Sequence, residues 1–251
     1  MVFYFSATGN SKFVADRVQE RFGGHTCDMA KAFNKGMTDF TFEEGEKAVF
    51  VFPVYYAGLP SIVSNFIASM NFIGPDPEIT GIFTYGSLAF GADKQFKKAI
   101  QAKGKKVRAV YDVKMVENCI FMFNIPIREA ALMTLKRAND RIRDVLDSME
   151  YNHRVTFKSN LFAGAISGFE QSLYKSSCGT QKFWVSDKCI GCGLCQTICP
   201  AKAIDMDEGR PVWVKDKCVH CAGCIMRCPA EAIQYGKSTE KRNRYVNPDL
   251  K

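Results

Sequence analysis

Eight cysteines between residues 189 and 228 fall into two copies of one pattern. The first copy is Cys189-x2-Cys192-x2-Cys195-x3-Cys199-Pro200, and the second is Cys218-x2-Cys221-x2-Cys224-x3-Cys228-Pro229. Two residues between ligands let a tight loop point three thiols at one centre. The fourth thiol, followed by a proline that restricts the backbone, is left to serve another centre. This is the ligand set of two [4Fe–4S] clusters with crossed fourth ligands. By that rule Cys189, Cys192, Cys195 and Cys228 hold one cluster, and Cys218, Cys221, Cys224 and Cys199 hold the other.

Two other chemistries use close cysteines. Structural zinc takes paired Cys-x2-Cys, but not four cysteines in a run of x2, x2, x3 and proline. Disulfides need an oxidising compartment. Met1 leads straight into a strand-like run, so the expected setting is a reducing cytoplasm. The repeat also extends beyond the ligands: residues 189–204 match residues 218–233, including Pro-Ala-Lys-Ala-Ile against Pro-Ala-Glu-Ala-Ile. Over residues 183–237 the chain resembles bacterial two-cluster ferredoxins, which implies a small α+β domain with near two-fold symmetry.

A chain of 251 residues is far longer than one such domain. Residues 1–150 read as an open α/β domain. Strands are expected at residues 2–5, 25–30, 47–54, 79–85 and 107–116, and helices at 11–22, 60–70, 92–103 and 128–150. Five strands alternating with helices imply a parallel sheet covered on both faces.

The first strand–helix turn reads Ser6-Ala7-Thr8-Gly9-Asn10-Ser11-Lys12. Short hydroxyl residues, a glycine and a helix N-terminus make a cup of donors suited to a dianionic phosphate. No G-x-G-x-x-G is present, so a dinucleotide is disfavoured. This turn and the strand–helix order resemble flavodoxins. The resemblance implies a flavodoxin-like five-stranded parallel sheet binding FMN, with the phosphate at Ser6, Thr8, Gly9, Asn10 and Ser11. It implies isoalloxazine contacts from two later turns. These are Pro53, Tyr55, Tyr56, Ala57 and Gly58 after the third strand, and Thr84, Tyr85, Gly86, Phe90 and Gly91 after the fourth. Tyr56 and Tyr85 are the candidates for stacking on the ring. Neither turn contains Asp or Glu, which predicts a less negative couple for the reduced flavin than in an acidic flavodoxin.

Residues 151–182 connect the halves, with an interdomain packing helix expected over residues 161–174. From Ser238 the chain is polar and basic, and it reads either as a solvated end or as a segment docked on the first domain. Cys27, Cys119 and Cys178 are left after the ligands are counted, and His220 sits between two of the ligands. The net charge of +8 is spread over both halves, and the clusters and a phosphate offset it, so no nucleic-acid partner is expected. No apolar run reaches transmembrane length.

Taken whole, the chain resembles EFR1 family ferredoxins, in which a flavodoxin-like domain precedes a two-cluster domain. That implies an anaerobic, cytoplasmic electron-transfer protein that passes single electrons between FMN and two [4Fe–4S] clusters, to or from redox protein partners. The alternative is a flavin-dependent reductase of a small organic substrate fed through the clusters. No motif names the donor, the acceptor, the direction of flow or an oligomeric state.

Overall fold

The computed structural model describes residues 1–87, 89, 91–151, 157, 174 and 176–250. Phe90, His153 and the helix expected over residues 161–174, apart from Tyr174, lie outside the described residues.

The first half is a five-stranded, wholly parallel sheet in the order β2-β1-β4-β6-β7. Its strands are β1 (Val2–Tyr4), β2 (Thr26–Asp28), β4 (Lys47–Pro53), β6 (Glu78–Tyr85) and β7 (Val107–Lys114). The alternation of β4 assigns its side chains to two layers. Val49 and Val51 join Phe13, Val14 and Val18 of α1 (Asn10–Phe22) and Leu135, Ile142 and Val145 of α5 (Arg128–Glu150). Ala48, Phe50 and Phe52 join Phe66 and Ile67 of α3 (Ser61–Ser69) and Phe96 and Ile100 of α4 (Ala92–Gln101). Gly81 of β6 permits this second layer, because a Cβ there would sit 2.6 Å from the Phe96 ring.

Three short elements depart from the expected pattern. Residues 29 and 30 fall not in a strand but in α2 (Met29–Asn34). The cause is Asp28, whose carboxylate accepts from the N–H groups of Ala30 (3.0 Å) and Lys31 (3.1 Å) and caps that helix. The other two are β3 (Asp39–Thr41) and β5 (Asn71–Ile73), which pair with each other away from the main sheet. Three-residue strands carry too little alternation to be read from sequence.

The second half holds two antiparallel pairs. β8 (Phe183–Val185) pairs with β11 (Ile233–Tyr235), and β9 (Ile204–Asp207) with β10 (Arg210–Trp213). The duplication is visible in the backbone. Helix α6 (Leu194–Thr197) matches α7 (Gly223–Met226) residue for residue. Left-handed residues recur at the same places: Gly191 (φ 67°) and His220 (57°), Gly193 (69°) and Ala222 (57°), Lys202 (47°) and Glu231 (49°). Glycine adopts this region freely, whereas other residues cost energy there. The second copy therefore accepts strain at His220 and Ala222 where the first copy avoids it.

The halves share one apolar core, in which Ile225, Met226 and Ile233 join the α1–α5 layer. Residues 239–250 are docked rather than solvated. Arg242 donates to the Ile120 carbonyl at 2.5 Å and Asn243 to that of Ile125 at 3.0 Å. Among the described residues no helix is long and apolar enough to cross a membrane.

Candidate functional site

The carboxyl ends of the sheet strands open onto a cavity of about 700 Å³. Ser6, Thr8, Asn10 and Ser11 line it from the first turn, Pro53, Tyr55, Tyr56 and Ala57 from the second, and Thr84, Tyr85 and Gly86 from the third. Gly9, Gly58 and Gly91 do not line it. Gly9 (φ 98°) and Gly91 (φ 78°) are the left-handed caps that start α1 and α4. Gly58 closes its turn through mutual backbone bonds with Tyr55, at 2.9 and 3.0 Å.

The first turn is braced from several sides. The Gly9 N–H donates to Ser6 Oγ (3.1 Å), the Asn118 amide donates to Thr8 Oγ1 (2.5 Å), and Ser11 Oγ meets Thr84 Oγ1 at 2.8 Å. No acidic residue occupies the first turn of α1, so its dipole is free to favour an anion. Asn10 gives its amide to the Val116 carbonyl (3.0 Å), and its side-chain oxygen accepts from Tyr245 Oη (2.8 Å). Its side chain therefore shapes the loop, and its backbone N–H is what remains for a phosphate.

Of the stacking candidates, Tyr85 donates to Asp112 Oδ2 at 3.2 Å. Tyr56 stands in a left-handed backbone (φ 46°), as does Ala57 (φ 54°). Its hydroxyl meets His220 Nδ1 at 3.1 Å.

A fourth turn, after β7, was not anticipated. Glu117 and Asn118 line the cavity beside Gly86, and the Glu117 carboxylate accepts from Ser87 Oγ (2.7 Å) and from the Cys119 N–H (2.8 Å). The two expected ring turns lack acids, but this turn brings one to them. That removes the premise for a less negative flavin couple. We expect Glu117→Gln to raise the more negative one-electron couple of bound FMN by about 50 mV, or roughly 1 kcal/mol for one charge at a half-exposed site. A spectroelectrochemical titration in which that couple stays within experimental error of wild type would refute the assignment.

The opposite wall of the cavity comes from the second half, through His220, Cys221, Ala222 and Tyr235. His220 is 7 % exposed, and its ring stacks on Phe121 with centroids 4.0 Å apart and planes 3° apart. Burial, with Lys182 nearby, lowers its imidazole to about 4, so it is neutral at ordinary pH. The His220 backbone N–H donates to Cys218 Sγ at 3.3 Å. The residues strained by the second repeat are thus the ones that face the first half.

The eight cysteines surround two smaller cavities. Cys189, Cys192, Cys195 and Cys228 line one, and Cys199, Cys218, Cys221 and Cys224 line the other. Among the described residues no group of three or more His, Cys, Asp or Glu is drawn together tightly enough for a single ion. The Ala203 N–H approaches Cys199 Sγ and the Ala232 N–H approaches Cys228 Sγ, both at 3.3 Å, as amides that tune a cluster's sulfurs do. Burial pushes the Cys218 thiol up to about 11 and Cys221 to about 12, and holds Cys224 well above the usual thiol range. Such thiols become thiolates where iron supplies the compensating charge. Both donor sets fit polynuclear iron–sulfur clusters, and the larger cavity, with its hydroxyl-lined cup and aromatic walls, fits FMN.

Fold and site together define a flavin-binding α/β half joined to a dicluster iron–sulfur half. Two family models match accordingly: a flavodoxin domain over residues 1–112 and a 4Fe-4S dicluster domain over residues 188–232. The chain is a fusion of the two, and its cofactors are FMN and two [4Fe–4S] clusters. Among solved structures it is similar to a flavoprotein in complex with FMN from Lactobacillus acidophilus NCFM, at 15 % identity and a TM-score of 0.33, over 44 % of this chain and 90 % of that one. It is also similar to an azoreductase from Bacillus anthracis str. Sterne, at 13 % identity and a TM-score of 0.36, over 59 % of this chain and 98 % of that one. No curated protein matches the chain.

Proposed function

We propose that this protein is a cytoplasmic electron carrier in which single electrons pass between FMN and two clusters and on to, or in from, redox protein partners. It is read as an EFR1-type ferredoxin, with a flavodoxin-like domain over residues 1–150, a connector over 151–182, a dicluster domain over 183–237 and a basic segment over 238–251. The observation that carries this reading is the shared wall. Cys221 and Ala222 line both the large cavity and the cavity formed with Cys199, Cys218 and Cys224. A cofactor in one would therefore be separated from a cofactor in the other by the wall that Cys221 and Ala222 form.

That shared wall also gives an order. The Cys199–Cys218–Cys221–Cys224 site is the inner one. The Cys189–Cys192–Cys195–Cys228 site faces outward, with Cys192 exposed and Ile190 68 % exposed beside it. FMN takes electrons in pairs and releases them singly, and each cluster carries one at a time. The chain's own residues would hold the three groups in the order flavin, inner cluster, outer cluster; the packed rings of Phe121, Tyr235 and His220 would shield the inner junction, and the outer ligand loop stays accessible to a partner.

The direct test is anaerobic purification with iron, sulfide and flavin quantitation. About eight iron atoms and one FMN per chain are expected. A preparation replete in iron but unable to take up FMN would end the carrier reading. One observation favours the reductase alternative: Met122 and Phe123 line the cavity while remaining exposed, which provides an apolar entrance for a small molecule. Catalytic turnover of a quinone by the dithionite-reduced protein would move the balance to that reading.

A further inference from the structure

We propose that residues 245–250 form a strap that holds the phosphate loop in its binding shape, so that the segment following the dicluster domain sets how tightly the first domain keeps FMN. The proposal rests on the reading of residues 6–11 as the phosphate loop.

The contacts are specific and buried. The Asn247 N–H donates to the Thr8 carbonyl at 2.8 Å, and its side-chain amide reaches Asn10 Oδ1 at 3.4 Å. Tyr245 Oη donates to the same Asn10 oxygen at 2.8 Å. Asn247 is 2 % exposed and Tyr245 7 %. Between these anchors the strap lies directly on Gly9: a Cβ at that position would come within 2.7 Å of Asn247 Cβ and 2.9 Å of Leu250 Cβ. Three consecutive loop residues, Thr8, Gly9 and Asn10, are therefore fixed from behind. None of residues 245–250 lines the cavity, so the strap acts through the loop and not on the ligand.

The strap is itself fixed to the second half. The Tyr245 N–H approaches Met226 Sδ at 3.4 Å, at the last residue of α7, the helix that carries Cys224, and Arg244 donates to Gln234 Oε1 at 2.9 Å. A loop whose donors are already aimed binds an anion without first ordering itself, and that pre-organisation appears as affinity.

The discriminating ligand is riboflavin, which has the ring of FMN and lacks the phosphate. Two variants of the cluster-loaded full chain are compared with wild type by quenching of flavin fluorescence. One is deletion of residues 245–251, which leaves the Arg242 and Asn243 anchors in place. The other is Tyr245→Phe, which removes one hydroxyl. We expect wild type to prefer FMN, the deletion to weaken FMN by about tenfold to a hundredfold, and Tyr245→Phe to weaken it by about three- to tenfold, with riboflavin affinity unchanged in both. If wild type prefers FMN and both variants keep that preference, the strap does not act on the loop. If wild type binds the two flavins equally, the phosphate-loop reading fails and the strap proposal falls with it. Equal losses for both flavins would show general loosening of the domain and would also overturn the strap.

Discussion

Cys199→Ala empties the cluster site next to the flavin, although Cys199 belongs to the repeat whose other three cysteines serve the outer site. The expectation follows from the two cavities: Cys199 shares its cavity with Cys218, Cys221 and Cys224, and Cys228 shares the other with Cys189, Cys192 and Cys195. Alanine cannot ligate iron, and a cubane left with three protein thiolates is held poorly. Iron should fall from about eight to about four per chain in every single-ligand variant, so iron content alone does not separate the sites. Flavin reduction does. In Cys199→Ala and Cys221→Ala the inner station is gone, and flavin bleaching by an external one-electron donor that can reduce either cluster but not the flavin directly should nearly cease in stopped-flow traces. In Cys228→Ala and Cys192→Ala the inner cluster survives and stays wired to the flavin. Sorting of Cys199→Ala with Cys192→Ala instead would show uncrossed ligation.

Thr8→Asp should leave the protein loaded with clusters and empty of FMN. The Thr8 side chain faces the cavity, is 1 % exposed and accepts a bond from Asn118. Aspartate is of similar size and can accept the same bond, so the loop keeps its brace. What changes is a fixed negative charge beside the phosphate. At about 5 Å and an effective dielectric near 20, repulsion amounts to roughly 3 kcal/mol for each phosphate charge, enough for more than about a hundredfold loss of affinity. Riboflavin carries no such charge and should bind the variant much as it binds wild type. FMN retained at full occupancy after Thr8→Asp would show that the phosphate sits elsewhere.

The parts of the site legible in the sequence are those whose determinants are local. Cluster ligation is written in spacings of two and three residues, and the loop at Ser6–Ser11 is a contiguous run between a strand and a helix. The sheet was legible because β1, β4, β6 and β7 are apolar strands separated by helices of nine residues or more. Helix α2 was hidden because its cause is one side chain, Asp28, folding back on the next residues. Glu117 was hidden for a different reason. It enters the site from a turn with no glycine or hydroxyl signature, and only the parallel pairing of β6 with β7 brings that turn beside Gly86. The strained residues His220 and Ala222 carry a signal that could have been read: they stand where the first repeat has Gly191 and Gly193. A departure from an otherwise close internal repeat marks a position with a second duty.

The bond between Asn247 and Asn10 joins residues 237 apart in the chain. During synthesis the flavodoxin half is fully made long before Asn247 leaves the ribosome. Until then its phosphate loop lacks the brace behind it, and flavin captured early would be held loosely. Secure retention of FMN would come only after the iron-binding repeats had been translated and folded close enough to bring residue 247 home. The order of the chain would thus act as an assembly checkpoint, committing the flavin to polypeptides that already have somewhere to send its electrons.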